Sequence, residues 1–285
     1  MSPSKGFTLA EMAVAVVILA ILLFGAMVPF STQMDIRNVA DTRRTMSSIL
    51  DAIVGFAQAN GRLPCPANGA TATGLPGAGI EQLSGNSCSA TMGVVPWATL
   101  GTPETDAWGR RFSYRVSPVF ADSAAASTWA TSTPASPANQ TQPCVPTPPP
   151  AAPTTFALCT LGDIALFTRA ASASAPIGSA LPLVFISHGK NGHGAWQITG
   201  VRLPAPAPGT DEAANVNGNT TATPTGGYSS WAFYSRNPAP AASGCVDPTP
   251  PGTPSGSPLC EFDDIVVTLS SSALIARMVA AGKLP

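Results

Sequence analysis

One carboxylate near the start of this 285-residue chain stands where an acid is costly. Glu11 follows Gly6, Phe7, Thr8, Leu9 and Ala10 and directly precedes Met12–Phe30, nineteen residues without a polar side chain. A charged acid in a helix long enough to span hydrocarbon costs about 2.5–3.5 kcal/mol near the bilayer centre, and less toward its edge. Glu11 therefore asks for a partner. Other chemistry-bearing residues are sparse. His188 and His193 share one Gly-rich turn, a spacing that could bring two imidazoles together, but the sequence offers no obvious third ligand. Asp263 and Asp264 are adjacent and supply hard oxygen donors of the kind calcium takes. Nucleophile-elbow, phosphate-loop and H-E-x-x-H zinc-protease patterns are missing from the sequence, and its carboxylates are few and scattered. The expectation is a protein that is not an enzyme.

The elements that must position these groups are uneven along the chain. As a helix, Met12–Phe30 reaches about 28 Å at 1.5 Å per residue, enough to cross a bilayer core. It is longer than the apolar core of a cleaved secretory signal, and bulky Met27, Val28, Pro29 and Phe30 follow Gly25-Ala26, so an anchor is the better reading. Beyond it, Ile36, Val39, Met46, Ile49, Leu50, Ile53, Val54 and Ala57 recur mostly at three- and four-residue intervals among charged residues. That pattern is an amphipathic helix, and Asn60-Gly61 provides its C-terminal stop. One helix from Phe7 to Asn60 would run about 80 Å, with Pro29 bending or loosening it.

Composition separates this helix from the remainder of the chain. The sequence holds 30 Pro and 26 Gly, only 10% charged residues and a net charge of -1. Nucleic-acid binding is excluded for want of clustered Lys and Arg. Six cysteines, Cys65, Cys88, Cys144, Cys159, Cys245 and Cys260, contain no C-x-x-C pair. An even number beyond a membrane anchor points to disulfides outside the cytoplasm. Fifteen connectivities are open, and proximity favours 65–88, 144–159 and 245–260. Residues 134–153 contain eight Pro and residues 204–258 eleven, so both read as exposed, extended loops. Strands are expected at Arg110–Val119, Asp163–Thr168, Pro182–Ser187, Ala195–Arg202 and Phe262–Leu269. A short helix is expected at Ala273–Ala281 behind a Ser270–Ser272 cap. The fold class is α+β: a long N-terminal helix packed on an antiparallel sheet, with Pro-rich insertions.

Gly6, Phe7, Thr8, Leu9 and Glu11, followed by the apolar run, resemble the N-terminal signal of the prepilin family: type IV pilins and the pseudopilins of type II secretion. The resemblance implies cleavage after Gly6 by a membrane-embedded prepilin peptidase and N-methylation of Phe7. It also implies that Glu11 pairs with the new terminal amine of a neighbouring subunit. The domains would then be a leader over 1–6, an N-terminal helix over 7–60 with 7–30 in the membrane or filament core, and a pilin-like head over 61–285. The implied location is the bacterial inner membrane, single-pass with the head in the periplasm, and then a pilus or pseudopilus. Implied partners are the peptidase, other pilin or pseudopilin subunits and the inner membrane. Asp106-Ala107-Trp108-Gly109 leading into Arg110–Tyr114 is similar to a segment of major pseudopilins, read as a turn that Asp106 caps and Gly109 permits, with Trp108 plugging the sheet edge. The turn over Ile186–Gly194 together with Glu261–Ile265 resembles the same group's C-terminal region, which binds calcium. That resemblance implies Asp263, Asp264 and Asn191 as calcium ligands; the alternative is a surface acid pair beside a strand, and the expectation is that the protein needs no cofactor. Size and Pro-rich insertions favour a low-abundance subunit, a minor pilin, whereas the Trp-Gly segment favours a pseudopilin. The alternative is a membrane-anchored binding protein or adhesin that never polymerises.

Overall fold

The computed structural model describes residues 8–122, 155–158, 160–169, 176–221, 230–247 and 256–284, with backbone alone at 21–32, 219–221 and 230. The chain divides into two compact units, Met1–Asp41 and Thr42–Pro285. The dividing point lies inside helix α1 (Leu9–Asn60), not at its end. The physical reason is burial. Thr42, Met46, Ile49, Ile53, Val54 and Ala57 are all buried, whereas Ile36 is 64% exposed. Helix α1 runs through Pro29 without a break and stops where Gly61 takes φ 71°, its N–H donating to the Ala57 carbonyl at 2.8 Å. In the first unit, Leu9, Met12, Val14, Val16, Val17, Ile18 and Leu19 are all exposed, so this part of the helix is apolar all round. Among the described residues no helix is long and apolar enough to cross a membrane. Residues 21–30 of the nineteen-residue apolar run are among those described by backbone alone.

The second unit is built from short elements. The first are β1 (Leu83–Ser84), β2 (Ser87–Cys88), β3 (Met92–Val94), α2 (Trp97–Leu100), β4 (Arg110–Arg111), β5 (Ser113–Val116) and α3 (Pro118–Ala121). After them come β6 (Ile164–Phe167), β7 (Gly178–Leu181), β8 (Leu183–Ser187), β9 (Trp196–Gln197), α4 (Asp211–Asn217), β10 (Asn219–Thr221), β11 (Ser230–Tyr234), β12 (Ile265–Leu269) and α5 (Ser271–Ala280). One four-stranded sheet has the order β12-β8-β5-β3 and is antiparallel throughout. A second has the order β10-β11-β6-β7 and contains one parallel pair, β11 with β6. The class is α+β.

Alternation along β8 explains the layering, because successive side chains of a strand point to opposite faces. Leu183 and Phe185 face a core shared with Met46, Ile49, Ile53 and Ala57 of α1, Tyr114 and Val116 of β5, and Leu274 and Met278 of α5. Val184 and Ile186 face the second sheet, packing with Ile164, Leu166, Leu181 and Phe233. The far side of that sheet buries Ala165, Phe167, Ala232 and Tyr234 against Phe262, with Ala214 of α4 alongside. Hence β5, whose alternation predicts a half-buried strand, is buried on both faces. Its polar members must be satisfied inside. Arg115 Nη2 reaches Asp163 at 2.8 Å, Arg115 Nη1 donates to Thr91, and its guanidinium lies 3.9 Å from the Trp231 ring centroid. Burial lowers the Arg115 pKa, and Asp163 opposes that shift.

Several expectations need correction. Arg110–Val119 is not one strand: it breaks at Phe112, and Pro118-Val119 open α3. Ala195–Arg202 pairs only briefly, with Trp196 and Gln197 on Arg111 and Arg110 before the chain turns back to an Arg202 bridge. Residues 204–258 are not one exposed loop. They hold α4, β10 and β11, and Val216, Ala232, Phe233 and Tyr234 are buried. Proline explains the error: between Pro208 and Pro238 the only proline is Pro224, so the backbone donors needed for helix and strand are intact on either side of it. Residues 134–153 lie outside the described residues.

Disulfides join Cys65 to Cys88 and Cys245 to Cys260, while Cys159 and Cys144 lie outside the described residues. Closing the Cys65–Cys88 loop, a separation of 23 residues, stabilises the fold by about 3 kcal/mol in the chain-entropy account. The double change Cys65→Ala with Cys88→Ala should lower the unfolding free energy by about that amount in a urea titration. An unchanged midpoint would show that this clip does not constrain the unfolded chain.

Candidate functional site

The N-terminal site begins at Thr8, since Gly6 and Phe7 lie outside the described residues. Thr8 immediately precedes α1 and acts as its N-cap. The Thr8 hydroxyl accepts from the Glu11 N–H at 3.3 Å, and Glu11 Oε2 accepts from both the Thr8 N–H at 2.8 Å and the Thr8 hydroxyl at 2.9 Å. This is a reciprocal capping box, in which an N-cap Thr and the Glu three residues on satisfy each other's backbone donors. Glu11 therefore has a partner within its own chain, which the cost of a buried charge did not foretell. The signal was legible as T-x-x-E ahead of an apolar run. These bonds to Glu11 use Oε2 or its backbone N–H, so Oε1 carries no partner among the described residues.

The Asp106 turn is built as its residue types suggest. Asp106 Oδ1 accepts from the N–H groups of Trp108 at 2.9 Å and Arg110 at 3.0 Å, and Oδ2 accepts from the Ser187 hydroxyl at 2.6 Å. The carboxylate thus caps its own turn and ties it to the end of β8. The Ala107 N–H donates to Thr42 Oγ1 of α1, which fastens the turn to the helix. Trp108 is half-buried, and its indole N–H is buried without a partner among the described residues.

A second cluster gathers residues more than seventy positions apart. Pairing of Ile265 with Ser187 sets Asp264, just before β12, beside His188, just after β8. The Asn191 N–H donates to Asp263 Oδ2 at 2.8 Å, so Asn191, Asp263 and Asp264 do come together. The structure adds Glu212, the second residue of α4, which sequence reasoning missed. One ligand oxygen each from Glu212, Asp263 and Asp264 lies within 4.8 Å of the others. Asn191 Nδ2 donates to both Glu212 oxygens, and the Asp263 N–H donates to Glu212 Oε1. His188 Nδ1 lies 3.4 Å from Asp264 Oδ1, and His193 Nδ1 lies 3.5 Å from Glu212 Oε2. Burial, then the Asp264 charge, pushes the Glu212 carboxyl up to about 7, and burial raises Asp263. Gly189 is needed here, because at φ 54° a Cβ would fall 2.4 Å from the Asp263 carbonyl oxygen. The hint available in sequence was Thr210-Asp211-Glu212, a cap residue followed by two acids inside a Pro-rich stretch.

Glu212, Asp263 and Asp264 offer three of the about 6–8 oxygens that calcium takes. The nearby loop carbonyls each already accept a hydrogen bond. Those of Gly189 and Lys190 accept from Arg110 Nη1, and that of His188 accepts from the Gly192 N–H. Asn191 offers Glu212 an amino group, while its oxygen accepts from the His193 N–H at 3.0 Å.

Residues 1–27 match the family model described as the prokaryotic N-terminal methylation motif. No curated protein and no solved structure matches the chain. The match spans Gly6, Phe7, Thr8 and Glu11, and it is Thr8 and Glu11 whose capping geometry opens α1. The chain therefore begins with the prokaryotic N-terminal methylation motif, the prepilin-type signal of type IV pilins and pseudopilins.

Proposed function

We propose that the chain is a structural subunit, a minor pilin or pseudopilin, cleaved by prepilin peptidase between Gly6 and Phe7 and methylated on Phe7. It is held by its N-terminal helix in the bacterial inner membrane with the head in the periplasm, and that helix then packs into a filament of like subunits. The methylation motif over residues 1–27 carries this reading. Two structural observations support it. The start of α1 exposes apolar side chains all round, which suits a helix surrounded by lipid or by other helices. Among the described residues Glu11 caps its own helix through Oε2, which leaves Oε1 to meet a neighbour's amine. A carboxylate has about four lone-pair sites, so the two roles are compatible. A head of 61–285 with Pro-rich stretches favours a low-abundance position over the repeating body of a tightly packed fibre.

Glu11→Gln separates charge pairing from capping, because Gln also completes a capping box. Cleavage after Gly6 should proceed normally in this variant. Recovery in sheared filaments should fall by at least about tenfold, as a pairing of about 2 kcal/mol is lost. Equal recovery of Glu11→Gln and unaltered protein would point to an anchored monomer.

A further inference from the structure

Asparagine is followed by glycine at Asn60-Gly61, Asn68-Gly69, Asn191-Gly192 and Asn217-Gly218. Such a pair is chemically fragile, because the glycine nitrogen can approach the asparagine side chain with no Cβ in the way. The fold treats these nitrogens differently. The Gly61 N–H donates to the Ala57 carbonyl at 2.8 Å, the Gly192 N–H to that of His188 at 2.8 Å, and the Gly218 N–H to that of Ala214 at 2.7 Å. The Gly69 N–H has no hydrogen-bond partner among the described residues. Asn68 itself is exposed, and its Oδ1 accepts from the Ala70 N–H at 2.9 Å. That bond folds the side chain back along its own backbone as an Asx turn, and it draws electron density from the side-chain carbonyl carbon.

We propose that Asn68 is a site of spontaneous modification, where the folded chain converts its amide to aspartate and isoaspartate through a cyclic imide. Hydroxide takes the proton from the Gly69 nitrogen, and that nitrogen bonds to the Asn68 side-chain carbonyl carbon. The bond from this carbon to Nδ2 breaks, and ammonia leaves with a proton from water. Water then opens the five-membered imide. Opening at the side-chain carbonyl leaves aspartate, and opening at the main-chain carbonyl leaves isoaspartate. Both products exchange an amide for a carboxylate, and water is the only other reactant consumed. Two consequences follow from the surroundings. Asn68 and Arg202 line one cavity, in which Arg202 is the only charged side chain among the described residues. Its guanidinium donates to the Gly194 and Val216 carbonyls and to Asn217 rather than to an acid, so the modification gives this cavity its first negative charge. Isoaspartate also adds a main-chain carbon between two fixed points. Ala67 exchanges backbone hydrogen bonds with Val94 at 2.9 and 3.0 Å, and the Gly69 carbonyl accepts from Arg111 Nη1 at 2.7 Å. Lengthening the chain between them loosens the loop that Arg111 holds.

The test incubates the full-length chain in detergent and mildly alkaline buffer, beside a sample unfolded in urea, and follows each Asn-Gly peptide by mass after digestion in acid. A methyltransferase that labels isoaspartate reports that product directly. In the folded chain the Asn68 peptide should convert at least about fivefold faster than those of Asn60, Asn191 and Asn217, because each of the latter must first break a hydrogen bond. In urea that lead should disappear. Gly69 is not the residue to change, since a Cβ there would fall 2.6 Å from the Trp196 ring. Asn68→Gln closes its ring far less readily, so it should keep its melting temperature through an incubation that lowers that of the unaltered chain. Faster conversion at Asn60, Asn191 or Asn217, or equal conversion at all of them in the folded chain, would overturn the proposal. So would an Asn68 that survives in the folded chain while it converts in urea.

Discussion

Arg111→Leu should unfold the head more readily by about 3–5 kcal/mol, the range for breaking a buried charge network from one side. Arg111 is fully buried at the junction of β4 with the loop over 69–73. Its Nε and Nη2 meet Glu104, at 2.9 and 2.8 Å, and its Nη1 donates to the carbonyls of Gly69 and Thr71. Nη2 also reaches Thr73 Oγ1 and the Ile198 carbonyl, and the guanidinium sits 4.5 Å from the Trp97 ring centroid. Leucine fills much of the volume but strands these acceptors and leaves Glu104 without its cation. Lysine keeps the charge and loses the fork that serves several acceptors at once, so Arg111→Lys should lie between the two. Urea unfolding of the full chain in detergent, followed by tryptophan fluorescence, measures the order. A leucine variant within about 0.5 kcal/mol of the unaltered chain, the ordinary scatter of surface changes, would refute the central place given to Arg111.

Gly6→Val should leave the leader attached. Cleavage requires the peptide bond after residue 6 to enter the peptidase, and a β-branched side chain there displaces it. A misplacement of about 1 Å can slow a positioned reaction about a hundredfold. The variant should accumulate in the membrane with Met1 and Lys5 still present, carry no methyl group on Phe7 and fail to enter filaments. Its head should fold as before, since the second unit begins at Thr42 and, among the described residues, its main core is built from Met46 onward. Rapid processing of Gly6→Val would show that cleavage does not occur at this bond.

How much of the molecule was legible before the structure depends on the range of the interactions. The second half of α1 could be read from Met46, Ile49, Ile53 and Ala57 because helical periodicity is local, and those residues are buried. The cap on α5 was equally local: Ser270 Oγ accepts from the Ala273 N–H at 3.2 Å. The full burial of β5 was not readable. It depends on a second sheet whose strand β11 lies in a segment dominated by proline, and composition averaged over 204–258 hid its Pro-poor intervals. Glu212 was hidden for a related reason. No local pattern links it to Asn191 or Asp263, and only the docking of α4 on β11, through Asn215 to the Tyr234 backbone, brings them together. Thr8 marks a different failure, since its spacing to Glu11 was in plain view. The cost of a charge in hydrocarbon asks only for a partner and is silent about a cap in the same helix; the neighbouring subunit's amine was implied by the resemblance.

In the proposed function, maturation as a prepilin is the step on which filament entry depends, and the mass of the N-terminal peptide tests it most directly. Protein purified from the producing cell's membrane or filaments should yield a peptide that begins at Phe7 and is heavier by one methyl group. A peptide that keeps Met1, or one that begins after a cut near Ala26, would contradict it.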